Sequence, residues 1–353
     1  MSNQPFPLIE VTRGNIIESV HYGSLSVVSP DGTILVALGD ASSPVFLRSA
    51  AKPFQALAFI EQGGAAKYDL QPCEIAIICA SHSGSDEHIK MLQSLHEKIG
   101  ITESMLQCGV HPPFDQTAAV KLIREGKPLR PFHHDCSGKH SGMLAFAKML
   151  DAPMGNYLDP SHPVQQRMLR AFSDMCAVPM TDIELGTDGC SAPVFAVPLP
   201  AAALGYARLC HPDELETDRA LACRCITSSM ASCPFMVGGP NRFDSELMAA
   251  AEGHLVSKMG AEGYQAIGIL PAQNRWADSG LGITIKISDG DPSLRAASIV
   301  ALTLLRVMGI LAPEQISSLT RFNHRNLTNA RAAVVGEVRP SQALLQALQQ
   351  FSS

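Results

Sequence analysis

The chain has 353 residues, 46% of them hydrophobic and 17% charged. That balance describes a globular protein with a sizeable core, in one large domain or two modest ones, and excludes a disordered chain. The formal net charge is −6 and the 27 Lys and Arg residues are scattered, so no nucleic-acid footprint is expected. The N-terminus has no charged region leading into an apolar run. The longest apolar stretch, Ala296 to Leu311, is broken by Thr303 and Arg306, so a soluble, cytoplasmic protein with no membrane partner is expected.

Leu8 to Val11, Ser24 to Val28 and Ile34 to Leu38 read as strands, the last two joined by a turn at Pro30-Asp31-Gly32. Pro44 to Arg48 reads as a short extended run. Ala50 to Ile60 reads as an apolar helix stopped at Gly63-Gly64, with Ser49 at its N-cap and Pro53 tolerated in the first turn. Ile75 to Cys79 is a continuous apolar run and reads as a buried strand that delivers Ser81. Helical patterns follow over 86–99, 116–125, 139–150, 162–177, 214–231, 294–311 and 340–350. Later strands are expected over 193–198, 264–270, 282–288 and 332–337, and a polar loop around Trp276. The order suggests a single catalytic domain of two lobes. A sheet lobe built from both termini takes 1–60 and 245–353, and a helical lobe takes 61–244.

The ten cysteines lie in apolar segments rather than in a small loop-rich framework, so they are expected to be free thiols.

Ser49-Ala50-Ala51-Lys52 places a serine one helical turn before a lysine, a spacing that pairs a nucleophile with a base on one helix face. A lysine accepts a proton only as the neutral amine, a form that burial or a second cation favours, and Lys258 could be that cation. His133 to Gly142, which includes Cys136, Lys139 and His140, concentrates groups capable of coordination or proton transfer. Gly186 to Pro193, with Asp188 and Cys190, is a partner stretch. Residue types suggest Cys136 and Cys190 with a histidine as metal ligands, although the spacing matches no zinc-finger pattern and on spacing alone favours a polar active-site loop.

Five segments in order then resemble one family, the L-asparaginases of the Rhizobium etli type. They are Leu47 to Gln55, Ala80 to Gly84, Asp135 to His140, Asp188 to Cys190 and Ser257 to Gly263, and the resemblance runs from about residue 8 to residue 337. It implies an α/β (α+β) fold like the serine β-lactamases, penicillin-binding proteins and serine-dependent glutaminases, with an antiparallel sheet built from both termini and a helical lobe. It also implies a homodimer that hydrolyses L-asparagine to L-aspartate and ammonia. Carried over by motif, Ser49 and Lys52 form one Ser–Lys tandem and Ser81 and Lys258 a second. Cys136, Lys139 and Cys190 become ligands of one zinc per chain, with water completing the shell. The zinc is expected to position substrate or stiffen the site.

Against the β-lactamase pattern, Ser81-His82-Ser83 and Lys258-Met259-Gly260 stand for the second and third motifs, and Ser83 replaces the usual Asn, which weakens a β-lactam reading. Arg48, Asp188 and His140 flank the matched segments as substrate-binding candidates. An arginine suits a carboxylate and an aspartate an ammonium. Ser49 is favoured as nucleophile because it heads a helix, with Ser81 as a relay. The alternatives are a glutaminase or other serine acyl hydrolase, or a non-catalytic metal- or amino-acid-binding protein.

Overall fold

The computed structural model describes residues 4–271, 276 and 278–349. They fall into two compact units. One comprises Met1–Val45, Pro198–His211 and Ala250–Ser353, the other Phe46–Val197 and Pro212–Ala249.

The first unit is built on an antiparallel sheet. Its strands run in the order Arg325–Thr328, Val334–Pro340, Phe6–Arg13, Ile16–Val28, Leu281–Ile287, Tyr264–Ile269 and Leu255–Gly260, and Ile34–Leu38 also pairs with the long strand Ile16–Val28. The centre is buried on both faces. Along Leu281–Ile287, Ile283, Ile285 and Ile287 are fully buried on one face, each contributing about 1.5–3 kcal/mol. On the other face Gly282 lies so close to helix Leu199–Cys210 that a Cβ there would stand 1.7 Å from the Ala203 carbonyl oxygen. Next to it Thr284 Oγ1 donates to the Leu199 carbonyl at 2.9 Å. Helix Ala296–Val307 also packs on this sheet. Both termini therefore contribute central strands, and the α/β class with an antiparallel sheet and a separate helical unit is as the resemblance implies.

The second unit is arranged around helix Lys52–Ile60, whose nine residues are all buried. A helix apolar on every side has no solvent face to present, so it sits at the centre of its bundle. Helices Pro163–Cys176, Thr217–Ser232, Ser137–Met149 and Pro72–Ile78 surround it. Phe54 meets Phe172 edge-on at 5.6 Å between ring centres, and Phe59 packs on Phe146 at 5.8 Å.

Several expectations are corrected. Ile75 to Cys79 is not a strand: Ile75–Ile78 end helix Pro72–Ile78 and Cys79 caps it, the helix being started by Pro72 and by Glu74, whose carboxylate accepts from the Gln71 N–H at 2.7 Å. Ser49 is not an N-cap. It lies inside a 3-10 turn, Arg48–Ala51, that leads into helix Lys52–Ile60. Residues 46–60 belong with the helical unit, and helix Leu199–Cys210, unread in the sequence, belongs with the sheet. Of the loop around Trp276, residues 273–275 and 277 lie outside the described residues, as does residue 350 of the last helical pattern.

The thiols are corrected too. Cys73 and Cys233, 160 residues apart, form a disulfide, and the other eight cysteines are free. The bond joins helix Pro72–Ile78 to the start of the short helix Pro234–Val237. Thiol titration of the denatured, unreduced protein is therefore expected to find eight free thiols. Cys73→Ser with Cys233→Ser is expected to lower unfolding free energy by about 2–4 kcal/mol in chemical denaturation. Ten titratable thiols, or equal stability, would contradict the link.

Candidate functional site

The turn Arg48–Ala51 opens with an unusual backbone. Arg48 has φ of 51°, the left-handed region that a side-chain-bearing residue enters at a cost. The turn is pinned from behind by the Leu47 N–H donating to the Phe195 carbonyl at 3.0 Å. Ser49 is half-buried. Within the described residues no hydrogen bond engages its hydroxyl or its N–H. The guanidinium of Arg48 grips Asp188, with Nε and Nη2 each 2.7 Å from Oδ1. The two residues read from sequence as separate substrate clamps are thus paired with each other. Burial raises the Asp188 carboxyl, but Lys139 and Arg48 hold it below the usual carboxylate value.

Lys52, at the head of the central helix, is fully buried. Its Nζ donates to the Ala80 carbonyl at 2.6 Å and to Ser81 Oγ at 2.7 Å, and Asp135 Oδ2 lies 3.9 Å away. The lysine therefore engages Ser81, 29 residues on, rather than Ser49 on its own turn. Asp135, quoted in the sequence cluster without a role, is the residue that sequence reasoning missed. Its signal was a carboxylate set immediately before Cys136. Burial raises its carboxyl, but Lys52 and the adjoining His111 and His134 rings hold it well below the usual range.

Ser81 is locked in place. Its N–H donates to the Val237 carbonyl at 3.0 Å, the His82 N–H to the Asp135 carbonyl at 3.2 Å, and Ser83 Oγ to the Gly238 carbonyl at 2.7 Å. Gly239 follows at φ of 103°, where a Cβ would stand 2.8 Å from Ser83 Oγ. His82 Nδ1 accepts from the Gly84 N–H at 3.1 Å, so its other nitrogen carries the proton and donates to Ser137 Oγ at 2.9 Å. Burial, then the neighbouring His88, hold the His82 ring neutral. The His88 ring stacks between His82 and Phe235.

Cys136, Lys139 and Cys190 meet in one buried cluster. Lys139 Nζ donates to Cys190 Sγ at 2.9 Å. A hydrogen bond from Cys190 to Cys136 holds Cys136 well below the ordinary thiol range against its burial, while Cys190 is pushed up, because the pair holds one proton between them. Burial lowers the Lys139 amine, yet Cys190, Cys136 and Asp188 together raise it above its ordinary value. Two thiols and an amine in contact form a donor set suited to a borderline-soft divalent ion, which would bind on displacing their protons. His111, His134 and Asp135 form another group of possible ligands. There, however, His111 Nε2 and His134 Nδ1 lie 3.2 and 3.1 Å from Asp135 Oδ1, so the three groups already hold one another.

His140, one turn beyond Cys136, is fully buried and bonded to Tyr157 through Nδ1 at 2.7 Å. All of these residues lie in the helical unit. Lys258 belongs to the sheet unit, fully buried on edge strand Leu255–Gly260, with Nζ 3.1 Å from the Met259 carbonyl.

The profile of the L-asparaginase II family matches residues 9–340. A comparison with curated protein sequences finds no match. Among solved structures, a probable glutaminase from Bacillus subtilis complexed with 6-diazo-5-oxo-L-norleucine is 15% identical. The alignment covers 76% of this chain and 78% of that one, at a TM-score of 0.36. A Bacillus glutaminase in the presence of 4.3 M NaCl is 14% identical over 82% of this chain and 91% of that one, at a TM-score of 0.40. Likenesses of this size carry no activity over to this chain. Among the described residues no helix is long and apolar enough to cross a membrane.

Two buried neutral histidines, His88 stacked on His82 and His96 bonded to Ser141, fix a pH dependence. Burial lowers His88 and His96 from 6.5 to about 4. Between those values the unfolded chain binds protons that the native state refuses. Stability is therefore complete above about pH 6.5 and is lost as pH falls toward 4, with at most about 1.4 kcal/mol per pH unit from each ring. Urea midpoints measured from pH 7 to 4.5 are expected to fall. A flat or rising series contradicts neutral rings.

Proposed function

The chain belongs to the L-asparaginase II family, a family of amidohydrolases, and we propose that it hydrolyses L-asparagine to L-aspartate and ammonia through a serine acyl-enzyme. The observation that carries this reading is the contrast between the two serines. Ser81 is buried with its N–H and hydroxyl engaged by Val237 and Lys52. Ser49 is half-buried, and among the described residues neither its N–H nor its hydroxyl has a hydrogen-bond partner. A nucleophile must reach the substrate, and a free backbone N–H at the start of a helical turn is suited to stabilise the oxyanion.

In this reading Ser49 Oγ attacks the side-chain carbonyl carbon. Its proton passes to Lys52 in the neutral form, with Ser81, bonded to that amine, as relay. The C–N bond then breaks and the proton leaves with ammonia. Water attacks the resulting ester and returns a proton to Ser49. Arg48 and Asp188, holding each other in the free protein, would open onto the substrate carboxylate and ammonium. Lys258 enters as a second proton-transfer group on the strength of its sequence motif. Cys136, Lys139 and Cys190 would hold zinc, whose charge, when bound, would fix nearby polar groups and draw substrate into place.

Ammonia release across a panel of amides, with and without chelator, tests the reading. Asparagine is expected to be the best substrate. Ser49→Ala is expected to remove nearly all activity, and Lys52→Met and Lys258→Met to cost at least about a hundredfold in kcat each. More than about a tenth of wild-type activity in Ser49→Ala would move the nucleophile to Ser81. Glutamine hydrolysed faster than asparagine would reassign the substrate.

For the metal, elemental analysis is expected to find about one zinc per chain. Cys190→Ala is expected to lower that content and to raise KM more than it lowers kcat. Fully active protein free of zinc would overturn the assignment.

A further inference from the structure

A three-member hydrogen-bond chain sets the chemistry of His140. The Gln107 backbone N–H lies 2.8 Å from Tyr157 Oη and can only donate, so Oη accepts there. The phenol proton, which burial holds on the oxygen, must then point to the other neighbour, His140 Nδ1, at 2.7 Å. Nδ1 is therefore the lone-pair nitrogen. A ring that keeps a lone pair on Nδ1 is neutral, and its single proton sits on Nε2. Tyr157 and His140 are both fully buried, and the ring positions are mutually fixed, edge to face at 5.7 Å.

That Nε2–H is buried and has no hydrogen-bond partner among the described residues. A buried donor left unpaired costs about 1–3 kcal/mol, so a fold that presets one has an acceptor for it in some working state. The location says which state. His140 sits one turn past Cys136 on helix Ser137–Met149, its own N–H bonded to the Cys136 carbonyl at 3.1 Å. The charges that act on its ring are those of Lys139, His134, Lys52 and Asp135, which belong to the site described above.

We propose that Tyr157 is a positioning residue that fixes His140 as the Nε2–H tautomer, and that this N–H is a preset donor to an oxygen of the bound amino-acid amide. The identity of that ligand rests on the amidohydrolase reading. A neutral donor here donates to a carboxylate or carbonyl oxygen and offers nothing to an ammonium, so it orients the substrate as well as binding it.

Two side chains separate this role from a structural one. Asparagine at position 140 reaches the Nδ1 position and can keep the Tyr157 contact, whereas glutamine reaches the Nε2 position with a donor. His140→Asn is expected to raise KM for asparagine about tenfold, and His140→Gln to stay within about threefold of wild type. The reverse order would overturn the proposal, since it would mean that holding Tyr157 is all His140 does.

Nitrogen-15 histidine NMR of the wild-type protein gives a readout that needs no variant. His140 is expected as a single neutral Nε2–H tautomer, and L-aspartate, the product, is expected to shift that resonance. An Nδ1–H tautomer, or an Nε2–H untouched by saturating L-aspartate, would overturn the proposal even if asparagine is hydrolysed. A shifted Nε2–H in a protein that releases no ammonia would leave the donor role standing and sink the hydrolase reading instead.

Discussion

Taking the Lys52 amine out of water is the demand around which the helical unit is organised. The residue heads a helix with no solvent-facing side, and a buried amine costs several kcal/mol unless its protons are satisfied. Three partners meet the demand, the Ala80 carbonyl, Ser81 Oγ and the Asp135 carboxylate. They come from two distant points of the chain, Ala80-Ser81 and Asp135. Their positions must therefore be held by other means, and most of the unusual features nearby are those means.

The segment Ser81-His82-Ser83 is an example. It has no regular secondary structure, yet its polar groups are committed to Val237, Gly238, Asp135 and Ser137. The disulfide ties the helix leading into this segment to the short helix that supplies Val237. Rigid support of this kind keeps Ser81 within hydrogen-bond distance of Lys52 without help from a ligand. It also explains why the two serines differ. The one that holds the lysine is fastened through its N–H and hydroxyl, while among the described residues no hydrogen bond engages those groups of Ser49.

Charge in the unit alternates along a connected path. Arg48 faces Asp188, Asp188 adjoins Cys190, Cys190 meets Lys139 and Cys136, and Asp135 next to Cys136 faces Lys52. Each cation lies against an anion or a thiol that can become one. Burial of so many ionisable groups is tolerable only with such pairing. A zinc ion at the thiols would replace protons with a fixed charge and would shift the balance along the whole path.

The sequence by itself determined the elements with strong local signals. Asp86–Ile99 has acidic residues in its first turn and Gly100 at its end, and Ile34–Leu38 follows a Pro-Asp-Gly turn; both were legible to the residue. It also singled out Arg48, Lys52, Ser81, Lys139, Asp188 and Cys190, which the fold brings into contact in pairs, because serine, lysine and cysteine in five ordered segments are visible without coordinates. Ile75 to Cys79 was misread because a five-residue apolar run fits a buried strand or a buried helix equally, and only the Gln71-Pro72-Glu74 start signal distinguishes them. What the tertiary structure alone decided was partnership. Lys52 turned to Ser81 rather than to Ser49, Arg48 to Asp188 140 residues away, and Cys73 to Cys233 160 residues away. Local propensity acts over a few residues, whereas the partner of a buried polar group is whichever group the packed core brings within about 3 Å.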